Sequence, residues 1–147
     1  MAEQTTSSIT IQAPPATVMS VLADLPAYPQ WADGVREVEV LDRDAAGRPR
    51  RVRFRLDSGP IKDSYVLSYT WEGERSVRWS LAERGAILKA LDGSYTLRAA
   101  DDRAGPTEVT YRLTVDVSLP MIGMLKRKAE KVIVDTALRG LQRRVEG

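Results

Sequence analysis

The spacing of apolar residues predicts a short strand and helix at the N-terminal end of the chain. Ser7–Gln12 alternates between polar and apolar side chains, which is typical of a strand. Pro14–Pro15 then opens a helix, because a proline in the first helical turn removes no hydrogen bond. Pro26 ends this helix, so we expect Tyr28 and Trp31 on a second, very short helix or turn.

The middle of the chain has a different period. Over Val35–Leu119 the apolar residues recur at every second position, and turns containing glycine or proline separate the runs. This pattern predicts six antiparallel strands joined as a meander. Asp92–Gly93 interrupts one run and predicts a bend or bulge.

The C-terminal part is predicted to be one long helix, from about Met121 to Val145, with a wide apolar arc that needs cover on more than one side. An antiparallel sheet can bury one face and expose the other. The long helix is the largest element available to cover the buried face. Together the elements predict an α+β fold in a single domain over residues 1–147.

Composition excludes several kinds of chemistry. The 147 residues contain no cysteine and no histidine, so disulfides and Ser-His or Cys-His catalytic pairs are excluded, and a metal site is not expected. No glycine-rich nucleotide-binding pattern is present, so no cofactor is expected. The net charge of +2 gives no general argument for nucleic-acid binding.

Neither a signal peptide nor a transmembrane segment is expected. The first eight residues are polar, and no stretch approaches 18 apolar residues. A cytoplasmic location is therefore the default expectation.

The aromatic residues suggest a ligand site. Seven of the nine lie on predicted strands, and by alternation all seven fall on the apolar face: Phe54, Tyr65, Tyr69, Trp71, Trp79, Tyr95 and Tyr111. A buried tyrosine needs a partner for its hydroxyl, so four inward tyrosines indicate an interior that holds polar groups or water, as a ligand pocket does. The alternative is that the phenols reach the rim of the sheet and contact solvent.

The C-terminal helix supplies further candidates for the wall of this pocket: Ala129, Val132, Ile133 and Thr136. Several of these residues, and Gly140 after them, are small for the middle of a covering helix. Small side chains there either allow a close approach of the sheet or leave a void, and the sequence leaves both interpretations open.

Four segments together resemble the START-like (SRPBCC, helix-grip) superfamily, in particular its polyketide cyclase/dehydrase and lipid-transport branch. They are I-T-I-Q-A-P-P-A-T-V-M-S-V-L-A-D-L, Y-P-Q-W, G-V-R-E-V-E-V-L and the long helix after S-L-P. The resemblance implies a curved antiparallel sheet wrapped around the C-terminal helix, with an apolar cavity between them. It also implies that Y-P-Q-W lies near one end of the cavity, where Trp31 is either a lid or a cap on the core.

The function implied by the resemblance is binding or transport of a small hydrophobic ligand, such as a lipid, isoprenoid or polyketide. The alternative is a polyketide aromatase/cyclase or dehydratase acting in the same cavity. Without histidine, its acid or base would have to be another side chain. The candidates are the inward tyrosines and Lys89, which shares one predicted strand face with Ile87 and Leu91. Lys89 could instead reach solvent at a strand end or after a bulge. No motif assigns a catalytic residue, so a non-catalytic binding protein is favoured.

Three arginines alternate on the outer face of one predicted strand: Arg51, Arg53 and Arg55. They are expected to pair with Glu37, Glu39 or Asp63 on neighbouring strands. The alternative is a weak contact with an anionic surface or partner.

Overall fold

A computed structural model describes residues 4–58, 61–99, 105–117 and 123–147. The strands are β1 (Thr5–Ile11), β2 (Val35–Arg43), β3 (Pro49–Ser58), β4 (Ile61–Glu72), β5 (Ser76–Glu83), β6 (Leu88–Ala99) and β7 (Thr107–Val117). The helices are α1 (Pro15–Ala23), a short 3-10 helix (Leu25–Gln30) and α2 (Gly123–Glu146). The predicted positions of Leu119 and Met121, at the end of the last strand and the start of the last helix, lie outside the described residues.

All seven strands form one antiparallel sheet in the order β1-β7-β6-β5-β4-β3-β2. The predicted α+β fold and the meander of six strands are therefore confirmed. The N-terminal strand extends the sheet by pairing with β7, where Thr5 lies opposite Leu113 and Ile11 lies opposite Thr107. This pairing places the first and the last strand of the sequence side by side.

The first helix forms where the prolines predict it. Pro15 is its first residue, and Val18, Met19 and Leu22 are fully buried against the rest of the core. The 3-10 helix follows after Asp24, with Pro26 in its first turn and Pro29 inside it. Tyr28 therefore lies on the short second helix that the sequence predicts.

Helix α2 runs along β1 in the same direction, and polar side chains connect the two. Four hydrogen bonds of 2.8–3.2 Å join β1 and the next residue to the helix: Thr5 to Glu130, Ser7 to Asp135, Thr10 to Gln142 and Gln12 to Glu146. The residue numbers rise together on both elements, which fixes the direction. None of the described helices has the length and apolar composition needed to cross a membrane.

The buried face of α2 differs from the predicted one. Val134, Leu138 and Leu141 are at most 2% exposed, whereas Val132 is 58% exposed and Ile133 is 46% exposed. Successive helical residues are rotated by about 100°, so a side that buries positions 134, 138 and 141 turns position 132 away. The prediction that Val132 and Ile133 face the sheet is therefore wrong.

Strand β6 also departs from the prediction. The register shift lies between Leu88 and Ala90, not at Asp92–Gly93, where the pairing is regular. This irregularity takes Lys89 out of the alternation, and its side chain is exposed. The inward orientation of Lys89 is therefore wrong, and the alternative, a lysine that reaches solvent after a bulge, is confirmed. Gly93 has a different role, because a Cβ atom there would collide with the indole ring of Trp79.

Candidate functional site

Aromatic rings form a continuous row across the inner face of the sheet. Phe54 and Tyr65 stack with ring centroids 5.7 Å apart, Trp79 lies 5.4 Å from Tyr95, and Tyr95 lies 4.6 Å from Tyr111. All seven strand aromatics belong to the core or pack against it, as the alternation predicts. The row brings together these predicted site residues: Phe54, Tyr65, Tyr69, Trp71, Trp79, Tyr95 and Tyr111.

The tyrosine hydroxyls in the middle of the row have no partner in the described part of the chain. Tyr69, Tyr95 and Tyr111 are 7%, 5% and 7% exposed, and their hydroxyls make no hydrogen bond to any described residue. By contrast, the Tyr28 hydroxyl donates to the carbonyl oxygen of Leu22 at 2.7 Å. The three central hydroxyls are therefore available to another molecule.

These phenols remain protonated at neutral pH. Burial raises the pKa of Tyr69, Tyr95 and Tyr111 above the usual range, because the charged phenolate would lose its hydration. Each hydroxyl can donate one hydrogen bond and accept others. The row can therefore orient a ligand carbonyl or hydroxyl, but it is a poor source of a general base.

Trp31 lies at one end of the row, against both Tyr28 and helix α2. Its ring centroid is 4.8 Å from that of Tyr28. A Cβ atom at Gly140 would lie 3.0 Å from the Trp31 carbonyl oxygen, so this small residue allows a close approach. On the same side of α2, Ala129 and Thr136 are half-buried.

The indole nitrogen of Trp31 is buried and unpaired. Within the described ranges, it is the only fully buried side-chain nitrogen or oxygen atom without a hydrogen-bond partner. The indole of Trp71, at another part of the row, instead donates to the carbonyl oxygen of Pro49 at 2.6 Å. A buried donor without a partner is costly, so a ligand acceptor next to Trp31 would be favourable.

The buried carboxylate of Asp63 was not identified as inward-facing from the sequence. Its oxygens accept hydrogen bonds of 2.7–3.1 Å from the backbone N–H groups of Ser64, Ala86, Ile87 and Leu88. Desolvation opposes ionisation of Asp63, but these hydrogen bonds outweigh it and hold its pKa below the usual value. Asp63 thus holds the loop between β5 and β6 in place. This loop begins with Arg84 and Gly85.

Glu130 is the second buried carboxylate in the described residues, and sequence reasoning missed it as well. It is 1% exposed, and it accepts hydrogen bonds of 2.9 Å from the Thr5 hydroxyl and from the Val115 backbone N–H. Val115 lies just beyond the last residue of β7 that pairs with β1. The carboxylate therefore satisfies a backbone donor that the end of β1 leaves unpaired.

The arginines on the outer face of β3 are each paired with a glutamate. Arg51 lies 2.8 Å from Glu83, Arg53 lies 2.9 Å from Glu39, and Arg55 lies 2.7 Å from Glu37. The predicted pairing with Glu37 and Glu39 is therefore confirmed. The predicted pairing with Asp63 is wrong, because Asp63 accepts backbone N–H groups and Arg51 pairs instead with Glu83 on β5, two strands away. Nothing here supports a contact with an anionic surface through these arginines.

Nothing in the described ranges resembles a metal centre, since no three acidic side chains there are arranged to hold an ion.

The comparisons with known proteins agree with this fold. The sequence matches the family described as polyketide cyclase / dehydrase and lipid transport over residues 2–146. No curated protein matches the sequence.

Three similar solved structures illustrate the fold. A START superfamily protein from Mycobacterium smegmatis has a TM-score of 0.89 at 21% identity, with 97% of each chain covered. The Zhui aromatase/cyclase from Streptomyces sp. R1128 has a TM-score of 0.77 at 16% identity, covering 99% of this chain and 94% of that one. A protein from Thermus thermophilus has a TM-score of 0.79 at 23% identity, covering 98% of this chain and 97% of that one. The helix-grip architecture is therefore confirmed.

Proposed function

Because the chain belongs to the polyketide cyclase/dehydrase and lipid transport family, we propose that it binds a small hydrophobic molecule between the sheet and helix α2. The ligand classes that suit this interior are lipids, isoprenoids and polyketides. The aromatic row provides the apolar surface that contacts the ligand. The free tyrosine hydroxyls orient the ligand by hydrogen bonds.

One observation carries the proposal: the hydroxyls of three buried tyrosines, Tyr69, Tyr95 and Tyr111, have no partner among the described residues. The three hydroxyl oxygens are not fully enclosed, because Trp31 Nε1 is the only fully buried unpaired side-chain nitrogen or oxygen among the described residues. They therefore border space that another molecule could occupy, whereas a purely structural core would have no need of a hydroxyl at these positions. A ligand with a carbonyl or hydroxyl group would satisfy the phenols and gain specificity from them.

Apolar burial would provide most of the affinity. Removing apolar surface from water contributes roughly 25 cal/mol per Å², before the cost of ordering the ligand is subtracted. Flat, fused-ring or chain-like molecules suit a wall in which ring centroids repeat every 4.6–6.5 Å. The phenols then discriminate between oxygenated ligands and plain hydrocarbons.

The alternative function is catalysis, as a polyketide aromatase/cyclase or dehydratase. The similar Zhui protein is an aromatase/cyclase, and at 16% identity the similarity concerns the fold alone. The two buried carboxylates in the described ranges, Asp63 and Glu130, are both occupied by structural hydrogen bonds. The phenols could polarise a ketone by donating hydrogen bonds, but their raised pKa makes them poor bases. These features favour binding over catalysis.

A titration with 1-naphthol and with naphthalene, followed by calorimetry or tryptophan fluorescence, tests the proposal. We expect saturable 1:1 binding of both compounds and tighter binding of 1-naphthol. Tyr95→Phe combined with Tyr111→Phe keeps the rings and removes both hydroxyls. Each lost hydrogen bond is worth about 0.5–1.5 kcal/mol, so the loss of two should lower the affinity for 1-naphthol by about 5- to 160-fold.

Tyr28→Phe is the matched control, because the Tyr28 hydroxyl already bonds to Leu22. This variant should bind 1-naphthol as the wild type does. Absence of binding by the wild type, for both compounds, would refute the proposed function.

A further inference from the structure

Two arginines lie on either side of one serine on the outer face of the sheet. The register places Arg78 of β5 opposite Ser94 of β6, and Ser94 opposite Arg112 of β7. The next pair along β6 and β7 is Tyr95 and Tyr111, which belong to the aromatic row on the inner face. Because successive strand residues point to opposite faces, Ser94 and Arg112 point away from that row. We call Arg78, Ser94 and Arg112 the outer arginine site.

The two guanidinium groups of this site have no acidic partner. Neither Arg78 nor Arg112 makes an ion pair with any described residue. Other arginines on the same face are each paired with a glutamate: Arg51, Arg53, Arg55 and Arg98. Cross-strand pairing therefore compensates those four positive charges and leaves the charges of Arg78 and Arg112 uncompensated.

The carboxylate closest to Ser94 by register on this face belongs to Asp92, two residues earlier on β6. Two residues along a strand span about 6.6 Å. Asp92 is exposed and makes no ion pair with any described residue. Two arginines against one aspartate leave the outer arginine site with a net positive charge, so an added anion would be attracted to it.

The site also offers hydroxyl groups. Arg112 donates a hydrogen bond of 3.4 Å to the Thr96 hydroxyl, which places its guanidinium over β6. The Ser94 hydroxyl makes no hydrogen bond with any described residue. Adjacent strands are about 4.8 Å apart, so the Cα atoms of Arg78 and Arg112 are about 10 Å apart. Two arginine side chains can close that distance around a small anion above Ser94.

We propose that the outer arginine site binds a phosphate group. Arg78 and Arg112 donate charge-assisted hydrogen bonds to it, and the Ser94 hydroxyl donates another. The planar fork of a guanidinium matches the spacing of phosphate oxygens, and a phosphate dianion supplies acceptors to a site that offers donors. The site lies on the face opposite the aromatic row, so this inference is independent of the proposed function.

The test titrates ¹⁵N-labelled protein with glycerol 3-phosphate and with inorganic phosphate. Glycerol is the neutral control, and potassium chloride at equal ionic strength controls for screening. We expect the Ser94 amide signal and the Nε–H signals of Arg78 and Arg112 to move and saturate with both phosphates. They should not saturate with either control. Tighter binding of glycerol 3-phosphate would identify an organic phosphate as the ligand, and equal affinity would identify the free anion.

Arg78→Gln combined with Arg112→Gln should lower the affinity for both phosphates by at least about tenfold. The matched control, Arg143→Gln with Arg144→Gln, makes the same charge change at exposed positions of α2 and should bind as the wild type does. Asp92→Asn removes the neighbouring negative charge, so its affinity should rise by about twofold. An unchanged unfolding temperature shows that each variant folds.

Several results would overturn the inference. Signal changes that potassium chloride reproduces would reflect screening instead of binding. Wild-type affinity in the Arg78 and Arg112 variant would exclude these side chains as ligands of the phosphate. An equal loss of affinity in the Arg143 and Arg144 variant would mean that only the net charge of the protein matters. None of these results bears on 1-naphthol, which is proposed to contact the inner face.

Discussion

The carbonyl oxygen of Trp31 lies 3.0 Å from the position that a Cβ atom at Gly140 would occupy. The loop after the 3-10 helix therefore touches α2 through its backbone. This contact holds the Trp31 indole at the end of the aromatic row, beside Tyr28. The absence of a side chain at Gly140 therefore allows the backbone of Trp31 to approach α2 closely.

Gly140→Leu should destabilise the protein. The added side chain meets the Trp31 carbonyl, and overpacking of this kind costs about 1–3 kcal/mol, enough to outweigh the gain in helix propensity of about 1 kcal/mol. Urea unfolding followed by tryptophan fluorescence measures the loss. The control is Arg139→Leu, at an exposed neighbouring position. Equal unfolding midpoints for the two variants would contradict the close contact.

Gly93→Ala should also destabilise the protein, for a different reason. A Cβ at position 93 collides with the indole of Trp79, whose ring is surrounded by Tyr69, Tyr95 and Tyr111 at centroid distances of 5.4–5.8 Å. We expect a loss of about 1–3 kcal/mol in the free energy of unfolding. Trp79→Phe removes the colliding atoms. The free energy of unfolding lost through Trp79→Phe should therefore be smaller in the Gly93→Ala variant than in the wild type. Strict additivity of the two substitutions would count against the collision.

Asp63→Asn should lower stability most at neutral pH. The carboxylate accepts four backbone hydrogen bonds, and replacing one oxygen by an NH₂ donor should cost about 1–3 kcal/mol. The pKa of Asp63 is lowered in the folded protein. Its ionisation therefore stabilises the protein above the unfolded pKa of about 3.9, and this contribution disappears as the pH falls through the folded pKa.

The measurement for Asp63 is the free energy of unfolding of wild type and Asp63→Asn between pH 7 and pH 3. The difference between the two proteins should shrink below about pH 4. A difference that stays constant over this range would mean that the charge of Asp63 is not what the backbone N–H groups stabilise.

Glu130→Ala should loosen the end of β7. The variant loses hydrogen bonds from Thr5 and Val115, and the expected cost is about 1–3 kcal/mol because two half-buried donors lose their partner. Hydrogen exchange of the Val115 amide should become faster. Glu146→Ala removes a carboxylate at an exposed position of the same helix and should leave that amide protected. Unchanged protection of Val115 in Glu130→Ala would refute this role.

The sequence predicted the aromatic face because alternation alone decides which side of a strand a residue occupies. It could not reveal that a register shift would expose Lys89, since the shift depends on how β6 pairs with β7. The buried roles of Glu130 and Asp63 were equally hidden. Each carboxylate is buried because it accepts hydrogen bonds from backbone N–H groups that are distant in the sequence. From the sequence alone, a charged residue is expected at the solvated surface.

The rotation of α2 was the largest error in the predicted site. A wide apolar arc is compatible with several orientations of a helix, and polar contacts with β1 selected the one that buries Val134 and exposes Val132. These contacts join residues more than a hundred positions apart, so local periodicity carries no information about them.

The most direct test of a ligand between the sheet and α2 uses the three tryptophan side chains of the protein. In a ¹⁵N-labelled sample titrated with 1-naphthol, the indole N–H signals of Trp31 and Trp79 should move and reach saturation together. The signal of Trp71 should move less, because its N–H keeps its hydrogen bond to the Pro49 carbonyl. Three unmoved signals, or three that drift alike without saturation, would contradict binding in this interior.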